Sequence, residues 1–104
     1  MNFIAGWKIG SDCLICSSPL IKEPFLVEIE NHTTISTNVF FVTHDNSVKL
    51  FYPDKSDCFG RITIGDDCFI RQNAIIIYRV KIEERTIVAA GAVVTKSFKG
   101  PILF

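Results

Sequence analysis

An aliphatic residue recurs at every sixth position through the second half of this chain: Ile64, Ile70, Ile76, Ile82, Val88 and Val94. Ile, Leu and Val supply 28 of the 104 residues. Six in a row in a given phase would therefore arise by chance about four times in ten thousand. A helix repeats at about 3.6 residues and a lone strand at about 2, so neither produces this period. Six residues suit a short strand plus a turn, repeated, with coils stacked through parallel ladders about 4.8 Å apart. The fourth residue after each guide position is Cys68, Ala74, Val80, Thr86 or Ala92. Each is small or β-branched, as the corner of a narrow solenoid demands.

The first half keeps the rhythm in other phases. Ile9, Ile15 and Ile21 are six apart, as are Ile29, Ile35 and Phe41, with a slip of two near Val27. Between Phe41 and Ile62 the repeat breaks. The stretch from about 45 to 61 holds Asn46, Ser47, Pro53, Asp54, Asp57 and Gly60, and reads as one excursion loop. A loop of that length in a compact domain is usually functional. Phe69, Ile75, Ile87 and Val93 each precede a guide position and Ile77 follows one, so they should point outward. Apolar residues on the outside of a short solenoid call for burial in an oligomer, or under a terminal segment.

One domain spanning 1–104 accounts for the whole length. Eleven basic and eleven acidic residues cancel, which gives no electrostatic reason to expect nucleic acid or a membrane surface as partner. No segment reads as a signal peptide or a membrane span, so the expected location is cytoplasmic. Cys13 and Cys16 form a C-x-x-C, either half a zinc site or a redox pair in principle; with Cys58 and Cys68 they complete no standard ligand pattern and read as free, partly buried thiols.

Two histidines are present. His32 reads as a turn residue. His44 stands in Phe41-Val42-Thr43-His44-Asp45-Asn46, where the repeat gives way to the loop. An imidazole there can serve as a general base at neutral pH; a solvated loop histidine is the other reading, and position alone does not choose. No nucleophile motif and no metal-ligand cluster is apparent, and no metal is expected. What remains is direct transfer, in which a base deprotonates a bound hydroxyl or amine that attacks an activated acyl donor.

The hexads from Ile62 to Lys96, the Phe-Val-Thr-His-Asp segment before a long loop, and Ala89-Ala90-Gly91-Ala92-Val93-Val94-Thr95-Lys96 together resemble the hexapeptide-repeat O-acetyltransferases. That group includes the maltose, galactoside and xenobiotic acetyltransferases. Glu23-Pro24-Phe25-Leu26-Val27-Glu28-Ile29 and Phe59-Gly60-Arg61-Ile62-Thr63-Ile64-Gly65 are similar to the branch found in surface-polysaccharide gene clusters. The likeness covers about residues 20 to 96.

The resemblance implies an all-β fold, a left-handed parallel β-helix with three hexads per coil, assembled as a homotrimer. The left hand follows from the resemblance alone; the usual rule for parallel crossovers gives the opposite. It also implies acetyl-CoA as co-substrate, a sugar acceptor, and sites at the clefts between subunits. His44 matches the family's base, and Asp45 is implied as a substrate-positioning neighbour. Gln72 and Ala90 fall where the family's backbone meets the thioester and pantetheine arm. Thr95 and Lys96 fall where the nucleotide end is gripped, with Lys96 on a phosphate.

Departures stand beside the likeness. Arg71, Tyr78 and Arg79 put bulk where the family has turn residues, and Glu83 replaces a common Gly. The chain is short at both ends by family standards, with Ser97 to Phe104 in place of the usual cofactor cover. These features keep a non-catalytic trimeric scaffold or binding protein open as the alternative. A γ-type carbonic anhydrase needs three His ligands per zinc, and each chain has two His.

Overall fold

The computed structural model describes residues 6–16, 19–45, 47–52, 54, 58–97 and 102–103. Four coils of three short strands follow one another. The first is β1 (Lys8–Ile9), β2 (Leu14–Ile15) and β3 (Leu20–Ile21). The second is β4 (Val27–Ile29), β5 (Thr34–Ile35) and β6 (Phe40–Val42). After the short strands β7 (His44–Asp45) and β8 (Cys58–Phe59) come the third coil, β9 (Ile62–Ile64), β10 (Phe69–Ile70) and β11 (Ile75–Ile77), and the fourth, β12 (Lys81–Ile82), β13 (Thr86–Val88) and β14 (Val93–Val94). A last strand, β15 (Ile102–Leu103), lies on β13 and caps that edge of the stack.

The strands form three parallel sheets: β1-β4-β9-β12 (sheet A), β15-β13-β10-β5-β2 (sheet B) and β14-β11-β6-β3 (sheet C). This is a left-handed parallel β-helix. Thr63 pairs with Lys81, Phe69 with Ile87 and Ile75 with Val93, so one full coil takes 18 residues.

Every guide position faces inward. Ile29, Ile64 and Ile82 stack under sheet A, Ile15, Ile35, Ile70 and Val88 under sheet B, and Phe41, Ile76 and Val94 under sheet C, all buried. Alternation along each strand is what sorts them, because successive side chains point to opposite faces. Trp7 closes the end of the core edge-on against Phe41, ring centroids 5.8 Å apart.

The small residues do more than fit. At the corner between sheets A and B they are Cys13, Thr33, Cys68 and Thr86, all buried. Cys13 Sγ donates to the Glu30 carbonyl at 2.8 Å, and Thr33 Oγ1 to that of Gly65 at 2.7 Å. Cys68 Sγ and Thr86 Oγ1 both donate to the Glu83 carbonyl, at 3.0 and 2.8 Å. Each supplies a donor to a corner carbonyl that the sheet ladders leave over, which avoids the cost of burying it unpaired. Burial pushes the Cys68 thiol up, despite hydrogen bonds around it, so it stays a donor. Cys13, Cys16 and Cys68 are free, but Cys16 is exposed where partial burial was expected; it follows the inward-facing Ile15 and so points outward. The Cys58 side chain lies outside the described residues.

The turns are built from left-handed residues. Asp12, His32, Asp67 and Arg85 all have φ near +57° at the same corner, and Asn38 and Asn73 do so at the next. Asp and Asn tolerate this conformation best among residues with a Cβ. His32 bridges its column, with Nε2 3.3 Å from Asp12 Oδ2 and Nδ1 3.9 Å from Asp67 Oδ1. Gly65 has a steric reason of its own: a Cβ there would lie 2.8 Å from the Glu84 backbone nitrogen.

Candidate active site

The 18-residue coil is violated twice, both times between sheets C and A. Along the outward positions the spacing is six from Lys8 to Leu14 and six to Leu20. It is then eight to Glu28, an excess of two. In the next coil the spacing is six, six, and then 23 from Phe40 to Thr63, an excess of 17. Regular coils stack identical corners, so two irregular ones in succession lie against each other.

The first irregularity is a 3-10 turn, Pro24–Leu26, preceded by Glu23. The residue before a proline is steered to extended backbone, and Glu23 has φ −119° and ψ 78°. The second is the excursion. It opens as an antiparallel ribbon in which His44 pairs with Phe59 and Asp45 with Cys58, and continues into a 3-10 turn, Ser47–Leu50. Gly60 donates its N–H to the Thr43 carbonyl at 3.1 Å as the ribbon returns. No larger residue fits there, because a Cβ would meet Arg79 Cγ at 2.5 Å and Arg79 N at 3.1 Å.

His44 is held from two sides. Its Nδ1 lies 2.8 Å from Glu23 Oε1, and its ring leans on Phe59 with centroids 5.4 Å apart. The same Glu23 oxygen accepts a bond from Thr43 Oγ1 at 2.5 Å. Burial pushes the Glu23 carboxyl up, but the hydrogen bonds from Thr43 and His44, with the charges of His44 and Lys22, outweigh it and hold it below the usual carboxylate value. Glu23 is therefore an anion at neutral pH. An open pocket of about 120 Å³ adjoins the pair, lined by Lys22, Phe40, Phe41, Val42, Thr43 and His44.

Asp45, the expected substrate contact, accepts the Ser47 N–H on Oδ1 at 2.8 Å. That bond, with one from the Ser47 side chain, holds its carboxyl low. The four residues assigned to the co-substrate fall at the two ends of sheet C. Gln72 and Ala90 are stacked in adjacent coils at the corner between sheets B and C, where the Gly91 N–H donates to the Gln72 carbonyl at 3.0 Å. Thr95 and Lys96 follow β14 at the opposite corner, the one that carries His44 two coils below, and both are exposed. One protomer thus joins His44 with Glu23 and Thr43. It sets Gln72 and Ala90 at the far end of sheet C: Val42 pairs with Ile77, so His44 lies level with Arg79, seven residues past Gln72, at most about 23 Å of extended chain.

Glu23 is a site residue that no sequence motif marks as such. Its signal is the two-residue slip near Val27, which places 22–26 under the start of the loop. Among the described residues, no group of three or more His, Cys, Asp or Glu is placed to hold a metal ion, and no helix is long and apolar enough to cross a membrane.

Comparison with known proteins gives a consistent result. Residues 61–96 match the family described as "Bacterial transferase hexapeptide (six repeats)". Protein CapG of Staphylococcus aureus is 44% identical, over 69% of this chain and 45% of its own length. The hexapeptide-repeat containing acetyltransferase VCA0836 from Vibrio cholerae superposes with TM-score 0.80 at 27% identity, covering 94% of this chain and 56% of that one. Its complex with acetyl coenzyme A aligns at TM-score 0.65 and 22% identity, over 91% and 58%. A maltose O-acetyltransferase from Clostridium difficile 630 shares the fold, with TM-score 0.66, 15% identity and coverage of 95% and 65%. The chain spans about half the length of CapG and VCA0836.

Proposed function

We propose that this chain, which belongs to the hexapeptide-repeat family of bacterial transferases, moves an acetyl group from acetyl-CoA to a hydroxyl of a sugar or polysaccharide precursor. The observation that carries the reading is the setting of His44. It is a partly buried imidazole beside an open pocket, at the one corner where the solenoid is interrupted. Nδ1 faces Glu23, so Nε2 is the nitrogen left to work as a base. Nε2 takes the acceptor hydroxyl proton as the oxygen attacks the thioester carbonyl carbon. The carbon–sulfur bond then breaks, and the thiolate of CoA leaves with that proton returned from His44. Backbone N–H groups or solvent carry the oxyanion charge. Lys96 suits a CoA phosphate as an exposed cation, and Gln72 and Ala90 suit the arm beside the thioester. Asp45 helps place the acceptor through the loop turn it closes. The sugar class rests on the sequence resemblance.

Three protomers complete the site. The outer face of sheet A is polar, with Lys8, Glu28, Thr63 and Lys81 in one row. The outer rows of sheets B and C contain Leu14, Phe69 and Ile87, and Leu20, Phe40 and Val93, all exposed in the single chain. Two adjacent apolar faces and one charged face suit a closed trimer, with the charged side to solvent. The sequence resemblance puts the site at the cleft between two such subunits. Replacing Phe69 by Glu is expected to leave the circular dichroism spectrum unchanged and to lower the sedimenting mass from three chains to one. An unaltered mass would place the interface elsewhere.

The test of function is calorimetric titration with acetyl-CoA followed by an assay of free CoA release with and without sugar acceptors. Binding and acceptor-dependent release are expected. A scaffold is the second reading, favoured by the bulk at one corner, where the Arg79 guanidinium lies 5.7 Å over the Tyr78 ring. Absence of binding at about millimolar acetyl-CoA, the weak end of the ordinary range for enzyme substrates, would select it.

A further inference from the structure

The two departures from the 18-residue coil meet at one point, and that point is a hydrogen bond between side chains 21 residues apart. We propose that Glu23 is the positioning residue for His44, fixing its ring and its tautomer from the coil below so that Nε2 faces the acceptor. The proposal deepens the reading of His44 as the base and rests on it.

Three observations support it. The first is geometric. An Nδ1–Oε1 separation of 2.8 Å between two partly buried side chains is a directed, charge-assisted hydrogen bond. A carboxylate can only accept, so in the neutral ring the proton sits on Nδ1 and the Nε2 lone pair is free. The arrangement has the logic of a hydrolase triad, where a buried carboxylate selects the tautomer of the base.

The second is the backbone beneath Glu23. Pro24 opens the 3-10 turn and restricts the Glu23 backbone, and the Leu26 N–H closes the turn onto the Glu23 carbonyl at 3.0 Å. The carboxylate is thus carried on a short, braced bulge. In the third coil the same corner is made without extra residues, at Ile77 to Lys81. The two-residue excess is confined to the coil directly below His44.

The third is the second donor. Thr43 Oγ1 holds the same oxygen, Oε1, so the carboxylate is itself oriented by the residue next to the base. Both bonds to Oε1 come from donors. A Gln at this position can offer its carbonyl oxygen to both, and its amide nitrogen need not face the ring. Glu23→Gln therefore tests charge alone, while Glu23→Ala removes orientation as well.

The experiment is ¹⁵N NMR of the His44 imidazole in this chain and its Glu23→Ala and Glu23→Gln variants, alongside steady-state acetyl transfer. The expected wild-type ring is the Nδ1–H tautomer. Glu23→Gln keeps that tautomer when its carbonyl oxygen faces both donors, but loses the charge that stabilises the imidazolium, and lowers kcat by roughly 10-fold or more. Glu23→Ala gives mixed tautomers and lowers kcat by roughly 10- to 100-fold, with KM for acetyl-CoA within about twofold because Glu23 touches no co-substrate residue. An Nε2–H tautomer in the wild type overturns the proposal without recourse to any variant, so a folding failure of Glu23→Ala cannot shelter it. Equal kcat in wild type and folded Glu23→Ala overturns it as well. An Nδ1–H ring in a wild-type protein with no turnover would sink the acetyltransferase reading and leave the Glu23–His44 pairing supported.

Discussion

His44→Ala is expected to leave the β-helix standing and to lower acetyl transfer by about 10²- to 10⁴-fold, the range for removal of a general base. The fold survives because no core contact depends on the imidazole. Thr43 still bonds Glu23, and the ribbon still closes through the Gly60 N–H on the Thr43 carbonyl. Acetyl-CoA affinity should be close to wild type, since Gln72, Ala90, Thr95 and Lys96 are untouched. The loss should therefore fall on kcat and kcat/KM together, as for an interaction made in the transition state. Circular dichroism and acetyl-CoA titration on the same preparation separate chemistry from folding. Unchanged turnover removes His44 from the mechanism.

Phe41→Ala, three residues away, is expected to act on stability. Phe41 is fully buried, stacks between Ile21 and Ile76 by strand register, and receives the edge of Trp7. Truncating a buried Phe costs about 3–5 kcal/mol. A domain of this size has only about 5–15 kcal/mol in total. In a solenoid each coil leans on its neighbours alone, so the damage should centre on the first two coils. The measurement is a urea unfolding curve at fixed chain concentration, because oligomerisation couples stability to concentration. A midpoint equal to wild type would mean that Phe41 is not a core residue.

These two substitutions mark what could and could not be read from the chain. Phe41 was legible: it lies six residues from Ile35, and a period of six leaves one inward place for a large side chain per hexad. The corner residues were half legible. Steric arguments explain why Cys13, Thr33, Cys68 and Thr86 are small, but their hydrogen bonds to corner carbonyls exist only once the coils stack. The hand of the helix was illegible from periodicity, because a six-residue repeat is the same in either hand. Glu23 was hidden for a related reason. No local motif links it to His44; the link is made by an excess of two residues in one coil lying under an excess of 17 in the next. Superimposing the two breaks in phase would have found it. Gln72, Ala90, Thr95 and Lys96 carry no signal of their own in composition or spacing and enter through motif likeness.

The central claim is that the interrupted corner of this β-helix works on acetyl-CoA with His44 as its base. A crystal structure of the protein with CoA tests it most directly. CoA is expected in a cleft between two subunits, its thiol beside His44 Nε2, its arm against Gln72 and Ala90, and a phosphate on Lys96. CoA bound away from His44, or no CoA at millimolar concentration in a well-ordered trimer, would contradict it.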